Sequence, residues 1–258
     1  MASDKTRERA ASIPRTKVRA TKGASKSQVN IVQMAADEKR KRLNDRLNSV
    51  QFEERLAAQG LGIDSDARSR AAKDMRETEV QISDGKMGSA TGSMFSRDNT
   101  DLPPGSWKQF VRLRRTLPGS DIENSGMSVA TDTGHELEHA FSNSFTPPLA
   151  TQQAPLLQSL GASNQPESSV QGTAPDLEHM RTGIMQMRDM IGRENISPDD
   201  LQRLYWDAKD SANAYGRPEF YNVLDFIMKA NPNASFDDIA TMINTVASRR
   251  PSSNSATV

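Results

Sequence analysis

The chain contains no cysteine, and this absence removes a whole set of functions. Disulfide cross-links, thiol nucleophiles and cysteine-ligated zinc are excluded, and secretion gains no support. Long apolar runs are missing too: no stretch approaches the roughly 20 apolar residues that span a bilayer. No apolar segment follows the N-terminal charges as it does in a signal peptide. We therefore expect an intracellular protein, cytoplasmic or alternatively nuclear, with no membrane partner.

Aromatic residues are scarce, at 5% of the chain, and hydrophobic residues reach only 35%. Globular chains are typically about 45–50% apolar on a slightly wider definition. A chain so poor in apolar side chains buries too little surface to offset the entropy that is lost when every residue is ordered. Composition therefore predicts a mostly disordered protein with all-α elements. Its one compact part is expected to be a small C-terminal helical bundle of three to four helices.

The formal net charge is zero, but the charges are unevenly distributed. Residues 1–27 are predicted to form a disordered basic arm, in which lysine and arginine far outnumber acidic residues. Such an arm either binds phosphate groups or an acidic partner, or is a solvated tail that its like charges keep extended. The candidate nucleic-acid-binding residues are Arg7, Arg9, Arg15, Lys17, Arg19, Lys22 and Lys26.

The composition of the middle of the chain predicts helices, linkers and one recognition segment. Residues 28–83 carry thin apolar stripes and are predicted to be weakly amphipathic helices. Glycine, serine and proline predict linkers at 84–104 and 119–175. Between them, residues 105–118 form a short amphipathic island of the kind that folds on binding a partner. Its candidate partner-binding residues are Trp107, Phe110, Val111 and Leu117.

Residues 176–250 carry the clearest folding signals, and residues 251–258 are predicted to be a polar tail. Apolar residues first recur at alternating spacings of three and four, which predicts a helix for core packing or self-association. Helix-start signals follow at Ser197 and Ser235, each with carboxylates in the next turn. The predicted oligomerisation seam consists of Leu177, Met180, Ile184, Met187 and Ile191. The aromatic residues predicted to anchor a partner or to complete the core are Tyr205 and Trp206.

One motif offers catalytic chemistry: residues 135–139, HELEH, match H-E-x-x-H. On a helix, histidines four residues apart share a face and bind zinc, and the glutamate beside the first acts as general base on a zinc-bound water. The motif resembles the active-site helix of zincin metalloproteases, which packs between domains. The resemblance implies His135 and His139 as ligands and Glu136 as base. The candidate third ligands are Glu167, Glu178 and His179.

The surroundings of the motif depart from the zincin pattern, and the metzincin extension fails because Ser142 stands where its Gly should be. Glu138 places a charge where zincins have none, and Gly134 stands where the helix should already be running. No upstream strand pattern predicts a supporting sheet. We therefore expect a short polar segment with solvent-facing histidines, no metal and no cofactor, in a protein that is not an enzyme.

The order of the segments resembles that of the phosphoproteins of negative-strand RNA viruses. The resemblance lies in the seam from Leu177 to Ile191 and the unit from Ser197 to Arg250, and it implies a polymerase cofactor that links polymerase to nucleocapsid. The leading hypothesis is a non-enzymatic adaptor, a homo-oligomer that tethers protein partners through its C-terminal helices. The alternative is a packaging or coat-type protein whose basic arm binds RNA. The third hypothesis is a zinc metallohydrolase.

Overall fold

The fold combines a mixed sheet with nine helices in the part of the chain that the structure describes. The structure, a computed structural model, describes residues 18–50, 52, 54, 65–84, 93–98, 108–117, 119–145, 147–164, 174–193, 195–215 and 219–248. The strands are β1 (Val18–Ala20), β2 (Glu79–Ser83), β3 (Ser93–Asp98) and β4 (Lys108–Arg114). The helices are α1 (Lys26–Leu47), α2 (Ser65–Glu77), α3 (Gly126–Asn143), α4 (Leu149–Gln152), α5 (Ala154–Ser159), α6 (Leu177–Ile191), α7 (Pro198–Tyr215), α8 (Glu219–Ala230) and α9 (Phe236–Ser248).

The four strands have the order β1-β2-β4-β3. Strands β1 and β4 flank β2 in parallel, so that Val80 pairs with Val18 on one side and with Val111 on the other. Strand β3 lies antiparallel to β4 at the edge of this sheet. Along β4, Gln109, Val111 and Leu113 are buried in alternation with more exposed residues. This period of two is the pattern of a strand with one face on a core.

This architecture contradicts the prediction of a mostly disordered, all-α chain with a small C-terminal bundle. The predicted linker at 84–104 contains β3, the predicted island at 105–118 contains β4, and the predicted linker at 119–175 contains α3, α4 and α5. The weakly helical region at 28–83 ends in strand β2 rather than in a helix. Composition underestimated the folded part because many buried side chains are polar. They include Gln28, Lys39, Arg40, Asp74, Gln109, Asn124, Thr133, Glu138, Arg181 and Gln186.

Buried apolar side chains form two clusters, and helix α3 lies between them. The first cluster joins the sheet to α1, α2 and α3, with Leu43, Val111 and Phe141 among its fully buried members. The second joins helices α4 to α9 around residues such as Met180 and Phe220. Helix α3 packs against α1, β3 and β4 on one side and against α4 and α6 on the other. In the described part of the chain, no helix combines the length and the apolar character needed to cross a bilayer.

Helices α6 and α8 approach closely where Gly183 faces Val223. A Cβ atom added to Gly183 lies 2.6 Å from Val223 Cγ2 and 2.9 Å from Val223 Cβ, which is closer than side chains pack. We expect Gly183→Ala to lower the free energy of unfolding by about 1–3 kcal/mol, as overpacked cores do. Chemical denaturation of the two proteins measures the difference.

Gly134→Ala is the matched control for this close approach. Gly134 also lies inside a helix, but an added Cβ meets no atom within 4 Å. Alanine favours a helix over glycine by up to about 1 kcal/mol, so this variant should be as stable as the parent or more so. Equal losses at the two positions would contradict a tight contact between α6 and α8.

Candidate metal centre

The H-E-x-x-H motif lies in the second half of helix α3, and Gly134 does not interrupt that helix. The four-residue spacing puts His135 and His139 on one face, and their Nε2 atoms are 3.1 Å apart. Two nitrogens bound to one tetrahedral zinc ion at about 2.0–2.1 Å are about 3.4 Å apart. Both imidazoles are buried, with 4% and 8% of the residue exposed. This burial corrects the expectation of solvent-facing histidines.

The third histidine comes from the first turn of helix α6. The chain has only three histidines, and ligand nitrogens of all three lie within 4.8 Å of one another. The ring of His179 is centred 5.0 Å from that of His139 and 5.9 Å from that of His135. Its side chain is 31% exposed, so solvent reaches the cluster from this side. Of the other candidate third ligands, Glu178 approaches the outer ring nitrogen of His139, and Glu167 is outside the described residues.

Side chains of helix α6 also contact the outer ring nitrogens of two histidines. His179 Nδ1 is 3.1 Å from an oxygen of Asp176, the residue that caps α6 by accepting the backbone N–H of His179. His139 Nδ1 is 3.4 Å from the Thr182 hydroxyl and 3.6 Å from the Glu178 carboxylate. Contacts to the outer nitrogen fix the ring orientation and tautomer of a metal-binding histidine. In both rings these contacts are made by Nδ1, so Nε2 is the nitrogen that would bind an ion.

The surroundings of His135 hold its pKa well below the ordinary value. Burial is the largest cause, followed by electrostatic interactions with His139, His179 and Lys39, while a polar interaction with Gln186 acts in the opposite direction. Gln186 also donates to the backbone of α3, at Thr131 O, over 3.3 Å. A neutral imidazole keeps the lone pair that a metal needs.

Glu136 follows the first histidine and is 6% exposed. Its carboxylate accepts a 2.7 Å hydrogen bond from the Ser93 hydroxyl on edge strand β3. Because it lies three residues before His139 on the same helix, it is a neighbour of that ligand on the helix surface. A carboxylate held beside a metal-bound water is the general base that this motif predicts.

Glu138, the charged residue inside the motif, is at the centre of a buried network of ion pairs. Its carboxylate lies 2.7 Å from Lys39 Nζ, 2.7 Å from Arg46 Nη1 and 2.8 Å from Arg181 Nη1. Burial alone would raise the pKa of Glu138, but Arg46, Lys39 and Arg181 outweigh it and hold the pKa well below its usual range. Lys39 and Arg46 belong to α1, and Arg181 belongs to α6. The Glu138 carboxylate, which departs from the zincin pattern, therefore links helix α3 to both of these helices.

The residues predicted to bind protein partners are divided between the surface and the cores. Trp206 is 46% exposed, and Lys209 Nζ lies 4.7 Å from the centre of its ring. Val111 is fully buried in the first core, and Tyr205 stacks on Tyr221 at the second. The others are Phe110 and Leu117, which are partly buried, and Trp107, which lies outside the described residues. Partner binding by these side chains stays a prediction.

The predicted oligomerisation seam faces the second core of its own chain. Met180, Ile184 and Met187 have no exposed surface, and Leu177 and Ile191 pack against the same cluster. The seam was predicted to serve in core packing or in self-association. In this fold it packs in the core. Self-association of the chain stays a prediction.

The basic residues predicted to bind nucleic acid are described only in part. Arg19, Lys22 and Lys26 are exposed, and Arg19 Nε lies 3.1 Å from a carboxylate oxygen of Glu79. Those outside the described residues are Arg7, Arg9, Arg15 and Lys17. Binding of RNA or of an acidic partner by this arm stays a prediction.

Three imidazoles from two helices, with a carboxylate beside the first, define a candidate metal centre with three protein ligands. Catalytic zinc sites have this number, because the fourth tetrahedral position is kept for water or substrate, whereas structural sites use four protein ligands. No protein-family model, curated protein or solved structure matches the chain. The assignment of the centre therefore rests on its own geometry.

Proposed function

We propose that this protein is a zinc-dependent hydrolase that cleaves amide bonds, with peptides as its substrate class. The observation that carries the proposal is the convergence of all three histidines of the chain on one point. Side chains of α6 hold the outer ring nitrogens of His139 and His179, and the Nε2 atoms of His135 and His139 are 3.1 Å apart. Three imidazoles arranged in this way match the donor set of a zinc site with three protein ligands.

Each residue of the centre has a distinct task in this hydrolysis. His135, His139 and His179 would hold the ion, which would supply Lewis-acid chemistry to the site. Glu136 accepts the proton of the attacking water and returns it to the leaving amine. In balance, a bond forms between the water oxygen and the carbonyl carbon, the carbon–nitrogen bond breaks, and the proton ends on the amine. Ser93 holds the Glu136 carboxylate in place through its hydrogen bond.

The position of helix α3 supports this proposal. The helix packs between the sheet-bearing core and the second, helical core, as the active-site helix of zincins packs between domains. Two of the departures from the zincin pattern are absent from the fold, because a sheet precedes the helix and Gly134 lies within it. Glu138 and Ser142 stay departures, and buried cations neutralise the charge of Glu138.

This proposal replaces the expectation of a protein without metal or enzymatic activity. The adaptor hypothesis, with its role as a viral polymerase cofactor, and the packaging hypothesis both stay predictions. Their distinguishing experiments concern the basic arm: nucleic-acid binding by a packaging protein should fall steeply with salt and require the arm.

The test of the centre is the zinc content of the full-length protein, purified without a histidine tag. We expect one zinc ion per chain, and we expect His179→Ala to lower zinc affinity by at least about a hundredfold because two imidazoles remain. Mass spectrometry of bound metal and a competition titration with a chromophoric chelator measure both quantities.

Met190→Ala is the control for this substitution. Met190 is 45% exposed near the opposite end of the same helix, so its loss should leave zinc binding unchanged. A parent protein that binds no zinc, or a His179→Ala variant that binds it as tightly as the parent, would contradict the proposed centre.

A further inference from the structure

We propose that the buried ion pair between Arg181 and Glu138 positions His179 for metal binding, which makes Arg181 a positioning residue of the centre. This inference rests on the proposed function, since it concerns the same site. The pair joins the two ligand-bearing helices at the level of the ligands: Glu138 directly precedes His139, and Arg181 follows His179 by two residues. The distance between Arg181 Nη1 and Glu138 Oε1 is 2.8 Å.

The contacts between α3 and α6 show why the axial position of α6 matters. Ser142 donates a 2.6 Å hydrogen bond to Glu178 near one end of the interface, and Gln186 donates to Thr131 O near the other. The helices therefore run in opposite directions, and a shift of α6 along its axis would move His179 relative to the other two ligands. An ion pair at the centre of this interface opposes such a shift.

Because Arg181 is buried, it has few alternatives to its ion pair with Glu138. The residue is 3% exposed, and its Nε has no hydrogen-bond partner among the described residues. A buried guanidinium in this position has few alternatives to the Glu138 carboxylate, because moving away would leave a charge without a partner in a low-dielectric interior. The pair therefore opposes displacement of α6 relative to α3.

Arg46 provides an internal comparison, since it binds the same carboxylate oxygen from a helix without ligands. Arg46 Nη1 lies 2.7 Å from Glu138 Oε1 and belongs to α1. Its contact with α6 is a distant one, 3.9 Å from Asp189, which lies about 15 Å along the helix from His179 at 1.5 Å per residue. Removing either arginine leaves Glu138 with two cations, but only the removal of Arg181 cuts the link beside His179.

The experiment compares Arg181→Met with Arg46→Met in the full-length protein. Unfolding by denaturant in the presence of a chelator gives their stabilities, and competition titration gives their zinc affinities. Substitution of zinc by cobalt(II) adds an absorption spectrum that depends on ligand geometry. We expect both variants to lose stability. Only Arg181→Met should also lose about 10- to 100-fold in zinc affinity and change the cobalt spectrum.

Arg181→Lys keeps the charge with a shorter reach and serves if Arg181→Met does not fold. It should retain most of the stability and show a zinc affinity between those of Arg181→Met and the parent, with a shifted cobalt spectrum. Equal zinc affinities in the Arg181 and Arg46 variants, or a parent-like cobalt spectrum in both Arg181 variants, would overturn the positioning role while leaving the proposed function intact. A parent protein that binds no zinc would overturn both.

Discussion

Glu136→Gln should fold and bind zinc as the parent does, while its rate of peptide hydrolysis falls by about 10²–10⁴-fold. The amide has nearly the shape of the carboxylate and still accepts the hydrogen bond from Ser93, but it cannot take a proton from water. General bases contribute about 10²–10⁴-fold to hydrolysis, which sets the size of the loss. Cleavage of a mixture of quenched fluorescent peptides, with zinc content determined on the same samples, measures both effects.

Ser93→Ala is the companion variant, because it removes the hydroxyl that holds Glu136 and keeps the base itself. Its loss of activity should be much smaller than that of Glu136→Gln. A Glu136→Gln protein that cleaves peptides at the parental rate would rule out Glu136 as the base. Loss of zinc in that variant would show that the carboxylate supports the fold of the centre rather than its chemistry.

Glu138→Ala is expected to lower the free energy of unfolding by about 3–5 kcal/mol, the usual cost of removing one partner from a buried ionic group. The substitution leaves Lys39, Arg46 and Arg181 without the carboxylate that they share. All three side chains are at least 87% buried, so bulk water is a poor substitute for the lost partner. Chemical denaturation with chelator present measures the loss without a contribution from bound metal.

Glu38→Ala tests whether the effect depends on burial. Glu38 also pairs with an arginine, Arg42, over 3.0 Å, but the two side chains are 56% and 37% exposed. Exposed pairs of this kind contribute at most about 1 kcal/mol. If the two glutamate variants lost similar, small amounts of stability, water would have to reach the cations around Glu138.

The motif itself was predictable from the sequence, but the burial of its helix was not. The spacing of His135 and His139 is a local property of a helix, so it can be recognised without tertiary structure. The helix around them has polar residues on its buried side, including Thr133 and Ser142. Hydrophobic periodicity does not detect such a helix, and its polar, glycine-containing sequence therefore resembles a linker. The sequence pattern of α3 does not predict its burial, because the buried side of this helix is polar and carries the candidate centre.

His179 could be named only as one of three candidate ligands, because its meeting with His135 depends on how α6 packs against α3. A local signal was nevertheless present. Asp176 precedes a helical segment and stands three residues before His179, so a capping carboxylate and the ring share one turn. The roles of Thr182, Gln186 and Arg181 had no comparable signal, since each depends on a contact with another helix.

Strand β4 has the period of two that predicts a strand, but this segment was interpreted as one that folds on binding a partner. Val111 and Leu113 alternate with Arg112 and Arg114, which is the period of a half-buried strand, and they form β4. The charges between them instead suggested an amphipathic segment that folds on binding. Strand β2 has five residues directly after a helix, and a strand that short is difficult to distinguish from the end of the helix.

The gathering of every histidine of the chain in one place makes the imidazole rings a specific spectroscopic probe. In most proteins, histidine resonances in a magnetic resonance spectrum come from scattered rings that must first be assigned. Here, each such resonance arises from the candidate centre, since no other imidazole exists in the sequence. The absence of cysteine means that no thiol competes for an added metal ion. Occupancy of the centre can therefore be followed in the unmodified protein, without labels and without background.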